Sequence, residues 1–92
     1  MKQEIEIIVN ETVQKVKRFE LPYYTISKYL AYKVISKDRA IQIMLIAGQT
    51  EADISFRDAN AAFQEGQIQC TREEVEQRFN KAIEILTNQF KQ

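Results

Sequence analysis

The stretch 28–46, KYLAYKVISKDRAIQIMLI, constrains the fold of this 92-residue chain more than any other. Two apolar runs flank the short polar segment 36–39, SKDR. In the first run Leu30, Tyr32 and Val34 occupy every second position, and residues 41–45 repeat the pattern. Because side chains on a strand alternate between faces, each run has one apolar face and one mixed face. The pattern predicts a β-hairpin, with the rest of the chain packed on its apolar face.

Length and composition predict a single domain of the ordinary globular kind, spanning residues 1–92. The chain is 45% apolar and 28% charged, with two glycines and one proline, which is too apolar for a disordered protein. Its longest apolar run, residues 43–47, is far shorter than a membrane span. The segment MKQEIEIIVN carries acids where a signal peptide has a basic and then an apolar stretch. We therefore expect a cytoplasmic protein.

Residues 3–18 are predicted to form an amphipathic helix. Their apolar positions follow the helical period, and they are Ile5, Ile8, Val9, Thr12, Val13 and Val16. Acids near the start of the segment and bases near its end suit the helix dipole. The EIEIIV sequence also has the alternation of a strand, which is the alternative interpretation.

The middle of the chain is predicted to contain further short strands. Residues 19–26, FELPYYTI, favour a strand at a sheet edge because Pro22 lacks an N–H; a helix over 25–35 is the alternative. Residues 47–53 favour a turn and residues 54–56 a strand. Residues 57–70 have no clear pattern, although 58–63 fit one helical turn that ends at Gly66.

The clearest element is a helix over residues 72–90. Thr71 and Glu74 have the spacing of a capping box, in which each side chain accepts a hydrogen bond from a free backbone N–H. An apolar stripe at helical spacing follows, formed by Val75, Phe79, Ala82, Ile83, Leu86 and Phe90. The predicted fold class is α+β, a small two-layer sandwich. The N- and C-terminal amphipathic helices pack on one face of a 3-4-stranded antiparallel sheet. The other face is solvated or covered by a second copy.

Catalysis has little chemical support in this sequence. There is no histidine, and the single Cys70 excludes an internal disulfide and argues against a metal site. Acid–base chemistry, as in a hydrolase, would depend on carboxylates such as Asp58 and Glu65. The two separated glycines cannot form a phosphate-binding loop. We therefore expect a protein without enzymatic activity, cofactor or metal.

The charge is distributed unevenly although the net charge is zero. Residues 13–41 hold seven Lys or Arg against Glu20 and Asp38, and they contain all four tyrosines. Aromatic rings among cations are typical of surfaces that stack bases and neutralise phosphates, so one hypothesis is that this surface sequesters a nucleotide-like ligand. The zero net charge argues against binding to long duplex nucleic acid. The candidate ligand- or partner-binding residues are Tyr23, Tyr24, Tyr29, Lys33, Lys37, Arg39 and Met44.

The favoured hypothesis is association with protein, either a partner or copies of the chain itself. A second sheet face is predicted to carry tyrosine and methionine, which are enriched at interfaces; its residues are Tyr23, Tyr29, Ala31, Gln42 and Met44. The layout, with its closing TREEVEQRFNKAIEIL segment, resembles short reading frames of bacteriophages and mobile elements. That resemblance implies an inhibitor of a host protein. We therefore expect a small non-enzymatic binding protein that forms a homo-oligomer.

Overall fold

The structure is a computed structural model. It describes residues 3–10, 15–46 and 50–92, with side chains from residue 20 onward. The strands are β1 (Gln3–Asn10), β2 (Lys15–Leu21), β3 (Tyr23–Ile26), β4 (Leu30–Val34), β5 (Arg39–Ile46), β6 (Glu51–Asp58) and β7 (Ile68–Gln69). A 3₁₀ helix spans Ala59–Phe63, and the helix α1 spans Arg72–Lys91.

Five strands form an antiparallel sheet in the order β6-β5-β4-β3-β7, and β1 and β2 pair separately. The predicted hairpin is confirmed as β4 and β5, with Val34 opposite Ala40. Its turn is held by the Ser36 hydroxyl, which accepts hydrogen bonds from the N–H groups of Asp38 (3.3 Å) and Arg39 (3.1 Å). Serine favours such turns because its hydroxyl can replace a backbone acceptor.

The predicted N-terminal helix is wrong. Residues 3–10 form β1, which pairs antiparallel with β2 from Gln3 opposite Leu21 to Asn10 opposite Lys15; the rest of the predicted helix, residues 11–14, lies outside the described residues. The stripe of isoleucine and valine fits a helix by spacing, but these residues are stiff at the first side-chain torsion and favour strands. Pairing with the next strand, β2, decides between the two conformations.

The other strand predictions are right in kind and inexact in extent. The predicted strand 19–26 is divided at Pro22 into the end of β2 and the whole of β3, and β3 lies between β4 and β7 rather than at an edge. The strand predicted at 54–56 extends over Glu51–Asp58. Of the turn predicted at 47–53, residues 47–49 lie outside the described residues, and the prediction is wrong for residues 51–53, which belong to β6. The turn predicted at 58–63 is the 3₁₀ helix, and Gly66 follows it with a φ of 92°.

The C-terminal helix and its capping box are confirmed. The N–H of Glu74 donates to the Thr71 hydroxyl at 3.3 Å, and the N–H of Thr71 donates to the Glu74 carboxylate at 3.0 Å. The buried face of the helix is rotated from the predicted stripe: Val75 and Ala82 of that stripe are buried, together with Ile85, which the prediction left out. Three apolar residues of α1 are left exposed, namely Phe79 (41%), Ile83 (43%) and Phe90 (91%).

The sheet has a different cover on each face. On one face α1 packs on a buried cluster whose sheet residues are Ala31, Ile43 and Leu45. Ala31 of the sheet and Ala82 of the helix are both fully buried, and their small side chains leave room for the close approach of helix and sheet. On the other face the 3₁₀ helix contributes Ala59 and Ala62 to a buried cluster with Leu21, Tyr32, Val34 and Ala40. The α+β class is therefore right, but residues 3–10, 15–46 and 50–92 contain one α-helix, on one face of the sheet, instead of the two predicted.

Candidate functional site

The residues that were predicted to form one free sheet face are divided between the two faces of the sheet. Ala31 is fully buried beneath α1, so the face that it shares with Lys33 is the helix-covered one. The register places Tyr32 opposite Gln42 and Leu30 opposite Met44, which puts Gln42 and Met44 on the other face from Ala31. Gln42 is itself buried. Alternation along a strand separates its two faces, but it does not tell which face a helix will cover.

A groove lies between α1 and the sheet on the helix-covered face. We call it the α1 groove, and its volume is about 260 Å³. The floor comes from β3, β4 and β5, where Tyr24 pairs with Lys33 and Lys33 pairs with Ile41 across adjacent strands. The residues that line it are Tyr24, Lys33, Ile41, Ile43, Val75, Glu76 and Phe79.

The α1 groove is apolar at its base and charged at its rim. Ile41, Val75 and Phe79 contribute the apolar surface, and Lys33 and Glu76 contribute opposite charges. The Glu76 carboxylate accepts a hydrogen bond from Nε of Arg72 at 2.6 Å, and both side chains are exposed. An apolar recess with a few polar groups around it is the usual form of a binding site.

Exposed apolar residues extend this surface beyond the groove. Phe79 and Ile83 lie one turn apart on α1, and successive residues of a helix are rotated by about 100°, so both point to the same side within about 40°. Phe56, which is 59% exposed, lies opposite Ile41 on the neighbouring strand. Large exposed apolar side chains beside an apolar recess are typical of interaction sites in soluble proteins.

A second concavity lies at the tip of the β4–β5 hairpin, and we call it the tip cleft. It is an open space of about 660 Å³ lined by Ser36, Asp38, Arg39, Phe56, Arg57 and Asp58. The Arg39 guanidinium lies over the Phe56 ring, 4.8 Å from its centroid. The cleft thus combines two arginines and an aromatic ring with two aspartates.

The predicted site residues do not form one surface. Tyr24 and Lys33 meet in the α1 groove, and Arg39 lies in the tip cleft. Lys37 is exposed in the hairpin turn. Tyr23 lies on the opposite sheet face, where its ring stacks on Phe63 with centroids 5.4 Å apart. Burial there raises the pKa of the Tyr23 phenol.

Two further predicted residues lie apart from both concavities. Tyr29 is 45% exposed beside the start of β4, with Nζ of Lys28 5.3 Å from its ring centroid. Its carbonyl accepts a hydrogen bond from the N–H of Leu45 at 2.9 Å. Met44 is half-buried on the face opposite α1. Neither residue lines the α1 groove.

Sequence reasoning missed the helix side of the groove. Phe79 and Val75 were assigned to the core as members of one apolar stripe, and Phe56 was only part of a short strand. The signal was Ile85, an apolar position outside that stripe: the buried face of α1 includes it and leaves Phe79 and Ile83 exposed on the other side of the stripe.

The opposite sheet face carries a buried row of polar side chains. Thr25, Tyr32, Gln42 and Ser55 follow one another across four strands in register. The Tyr32 hydroxyl donates to Oε1 of Gln42 at 2.7 Å, and burial raises the pKa of Tyr32. The hydroxyls of Thr25 and Ser55 have no hydrogen-bond partner in the described part of the chain.

The remaining chemical candidates are dispersed. Asp58 lies in the tip cleft and Glu65 is exposed in the turn before Gly66. Burial and the neighbouring Glu74 carboxylate raise the pKa of the Cys70 thiol to about 11. Among residues 3–10, 15–46 and 50–92 no group of three or more Cys, Asp or Glu could hold a metal ion. No helix within those ranges is both long and apolar enough to cross a membrane.

Comparison with known proteins adds no identification. The sequence matches no family model, and neither a curated protein nor a solved structure matches it.

Proposed function

We propose that this chain is a non-enzymatic binding protein of the cytoplasm that holds a protein partner in the α1 groove. The observation that carries the proposal is the apolar base of the groove, continued by the exposed Phe79 and Ile83. These two large apolar side chains are exposed to water in the free protein. A partner that covers them would stabilise the complex by about 25 cal/mol per Å² of apolar surface buried.

The charges at the rim indicate what such a partner would present. Lys33 attracts an acidic side chain and Glu76 a basic one, while the base between them takes an apolar side chain. We propose a protein segment with one or two apolar anchors flanked by opposite charges. Binding of this kind suits an inhibitor that acts by occupying a host protein, as the resemblance to phage and mobile-element reading frames implies.

Photo-crosslinking from inside the groove tests the proposal. Benzoylphenylalanine placed at Phe79 should crosslink to one discrete protein in extracts of the source cell, and the same group at the exposed Gln77 should not. Gln77 is the matched control because it lies about 200° from Phe79 around the helix. With the crosslinked protein purified, Phe79→Glu should weaken binding at least tenfold by titration calorimetry. Equal crosslinking from both positions would refute the groove as the site.

Sequestration of a nucleotide-like ligand is the second candidate, and the tip cleft is the observation that favours it. An exposed Phe56 ring can stack on a base, and the guanidinium groups of Arg39 and Arg57 can bind phosphate. Asp38 and Asp58 line the same cleft and oppose an anionic ligand, which ranks this candidate below protein binding.

Titration with a fluorescent ATP analogue separates the two candidates. A nucleotide-binding cleft requires saturable binding that is lost in Arg39→Ala and Arg57→Ala and retained in Lys33→Ala, since Lys33 lies in the α1 groove. Loss in Lys33→Ala or Tyr29→Ala instead would support the surface predicted from the sequence. No saturable binding would exclude the second candidate.

A further inference from the structure

The outer edge of β6 is the longer of the two edges of the five-stranded sheet. β6 has eight residues and pairs only with β5. The opposite edge of the sheet, β7, has only two residues and leads directly into α1. An edge strand presents free N–H and C=O groups that another strand can pair with.

The sequence of β6, EADISFRD, is complementary to itself when a second copy runs antiparallel. With Ile54 at the centre, Glu51 falls opposite Arg57 of the partner, and the symmetry of the pair repeats this contact. Ala52 falls opposite Phe56, Asp53 opposite Ser55, and Ile54 opposite itself. Directly opposite pairs with unlike charge stabilise an antiparallel ladder.

The side chains of β6 fall on the faces that this pairing requires. Residues alternate, so Glu51 and Arg57 lie together on the face away from α1. Both are exposed, and neither makes a salt bridge within the described residues. Ala52 and Phe56 lie on the α1 face, where Ile54 packs against the buried cluster.

The end of α1 supplies an independent observation at the same edge. Nε2 of Gln89 donates to the carbonyl of Thr50 at 3.0 Å, which places the last turn of α1 at the start of β6. Phe90, the next residue, is 91% exposed. Phe56 lies towards the other end of β6 and is 59% exposed. Antiparallel pairing brings the start of one β6 beside the end of the other, so each Phe90 approaches a Phe56 of the second copy.

We propose that two copies of this chain join through their β6 edges as a symmetric dimer with one continuous sheet. Each copy contributes five strands, and the same patch on both copies forms the contact. The inference does not depend on the proposed function. It assigns self-association to the sheet edge instead of the sheet face that was predicted from the sequence.

Reversing the charges of Glu51 and Arg57 tests the contact. The molar mass of the whole chain is measured by light scattering after size-exclusion chromatography. The wild type should be a dimer. Glu51→Arg and Arg57→Glu should each weaken dimerisation on the order of 10- to 100-fold, since each places two like-charged pairs in the contact. The double variant Glu51→Arg/Arg57→Glu should restore the dimer. Glu73→Arg, an exposed charge reversal on α1, is the matched control and should leave it unchanged.

Disulfide trapping gives a second measurement that does not depend on charge. In a Cys70→Ser background, Ile54→Cys should form a disulfide-linked dimer on mild oxidation, because residues directly opposite lie about 4.5–5.5 Å apart. Asp58→Cys should not, since its two copies would be about 27 Å apart at the rise of an antiparallel strand.

Three results would overturn the proposal: a wild-type monomer at every concentration, a dimer unaffected by both single charge reversals, or a double variant that stays monomeric. Phe79→Glu distinguishes this proposal from the proposed function. It should leave the dimer intact while it removes the partner of the α1 groove, so either proposal can fail alone.

Discussion

The two faces of the five-stranded sheet are held by different kinds of contact. The face beneath α1 is held by apolar packing, centred on Ala31, Ile43 and Ala82. The opposite face contains a buried polar row in which Tyr32 bonds to Gln42 across β4 and β5. Apolar packing is non-directional and tolerates a groove at its margin, whereas a buried hydrogen bond requires one register. The α1 face is therefore the face on which exposed apolar surface remains available to a partner.

The largest expected effect is on the α1 face. Ile43→Ala removes a side chain that is 2% exposed and should lower the free energy of unfolding by about 2–5 kcal/mol. Ile46→Ala, on the same strand at 39% exposure, is the control and should cost well under half as much. Urea denaturation followed by circular dichroism measures both. Equal losses would mean that α1 does not cover the face as described.

The chemistry of Cys70 gives the next largest effect. Its pKa is raised to about 11 from 9.0, mainly by burial. The thiolate is the reactive form, so at about pH 8 alkylation should be on the order of 100-fold slower in the folded protein than in urea. The raised pKa stabilises the fold below about pH 9, and that contribution is lost as the pH rises towards 11. Equal rates in the folded and unfolded chain would contradict the burial.

Tyr32→Phe tests the opposite face and should have a smaller effect. The substitution keeps the ring but leaves the buried Oε1 of Gln42 without its donor, which should cost about 1–3 kcal/mol. A double-mutant cycle with Gln42→Leu measures the coupling, since removal of both polar groups should cost less than the sum of the single changes. Additive losses in the free energy of unfolding would show that Tyr32 and Gln42 are not coupled.

The smallest predicted effect is at the start of α1. Thr71→Ala removes the hydroxyl that caps the N–H of Glu74 and should cost about 1 kcal/mol. Thr71→Ser retains a capping hydroxyl and should stay close to the wild type. A change in thermal midpoint for the serine variant as large as that for alanine would refute the capping role.

The elements that depend on local chemistry could be predicted from the sequence. The hairpin follows from alternation on both sides of a polar turn, and α1 follows from a capping box ahead of a helical stripe. The first strand could not be assigned, because the isoleucines and valines of residues 3–10 satisfy helical and strand spacing together. Its pairing with the next strand, β2, is a contact that the spacing within residues 3–10 does not show.

The candidate sites depend on contacts that no local pattern contains. Tyr24 and Lys33 were identified, but their neighbours Val75 and Phe79 come from a helix more than 40 positions away in the sequence. The register of β4 against β5 decides that Gln42 and Met44 share a face with Tyr32. Alternation was read correctly within each strand, and the relation between strands was the missing information.

The contacts of Arg78 have a consequence for how the chain folds during its synthesis. Its guanidinium donates to the carbonyls of Ser27 (3.0 Å) and Lys28 (3.3 Å), at the turn between β3 and β4. During synthesis these strands emerge before α1, so their turn has free carbonyls and their apolar face meets water until the helix arrives. For that interval the growing chain has the exposed surface that chaperones bind. Docking of α1 thus ends the period in which the apolar face of the nascent sheet is exposed to other proteins.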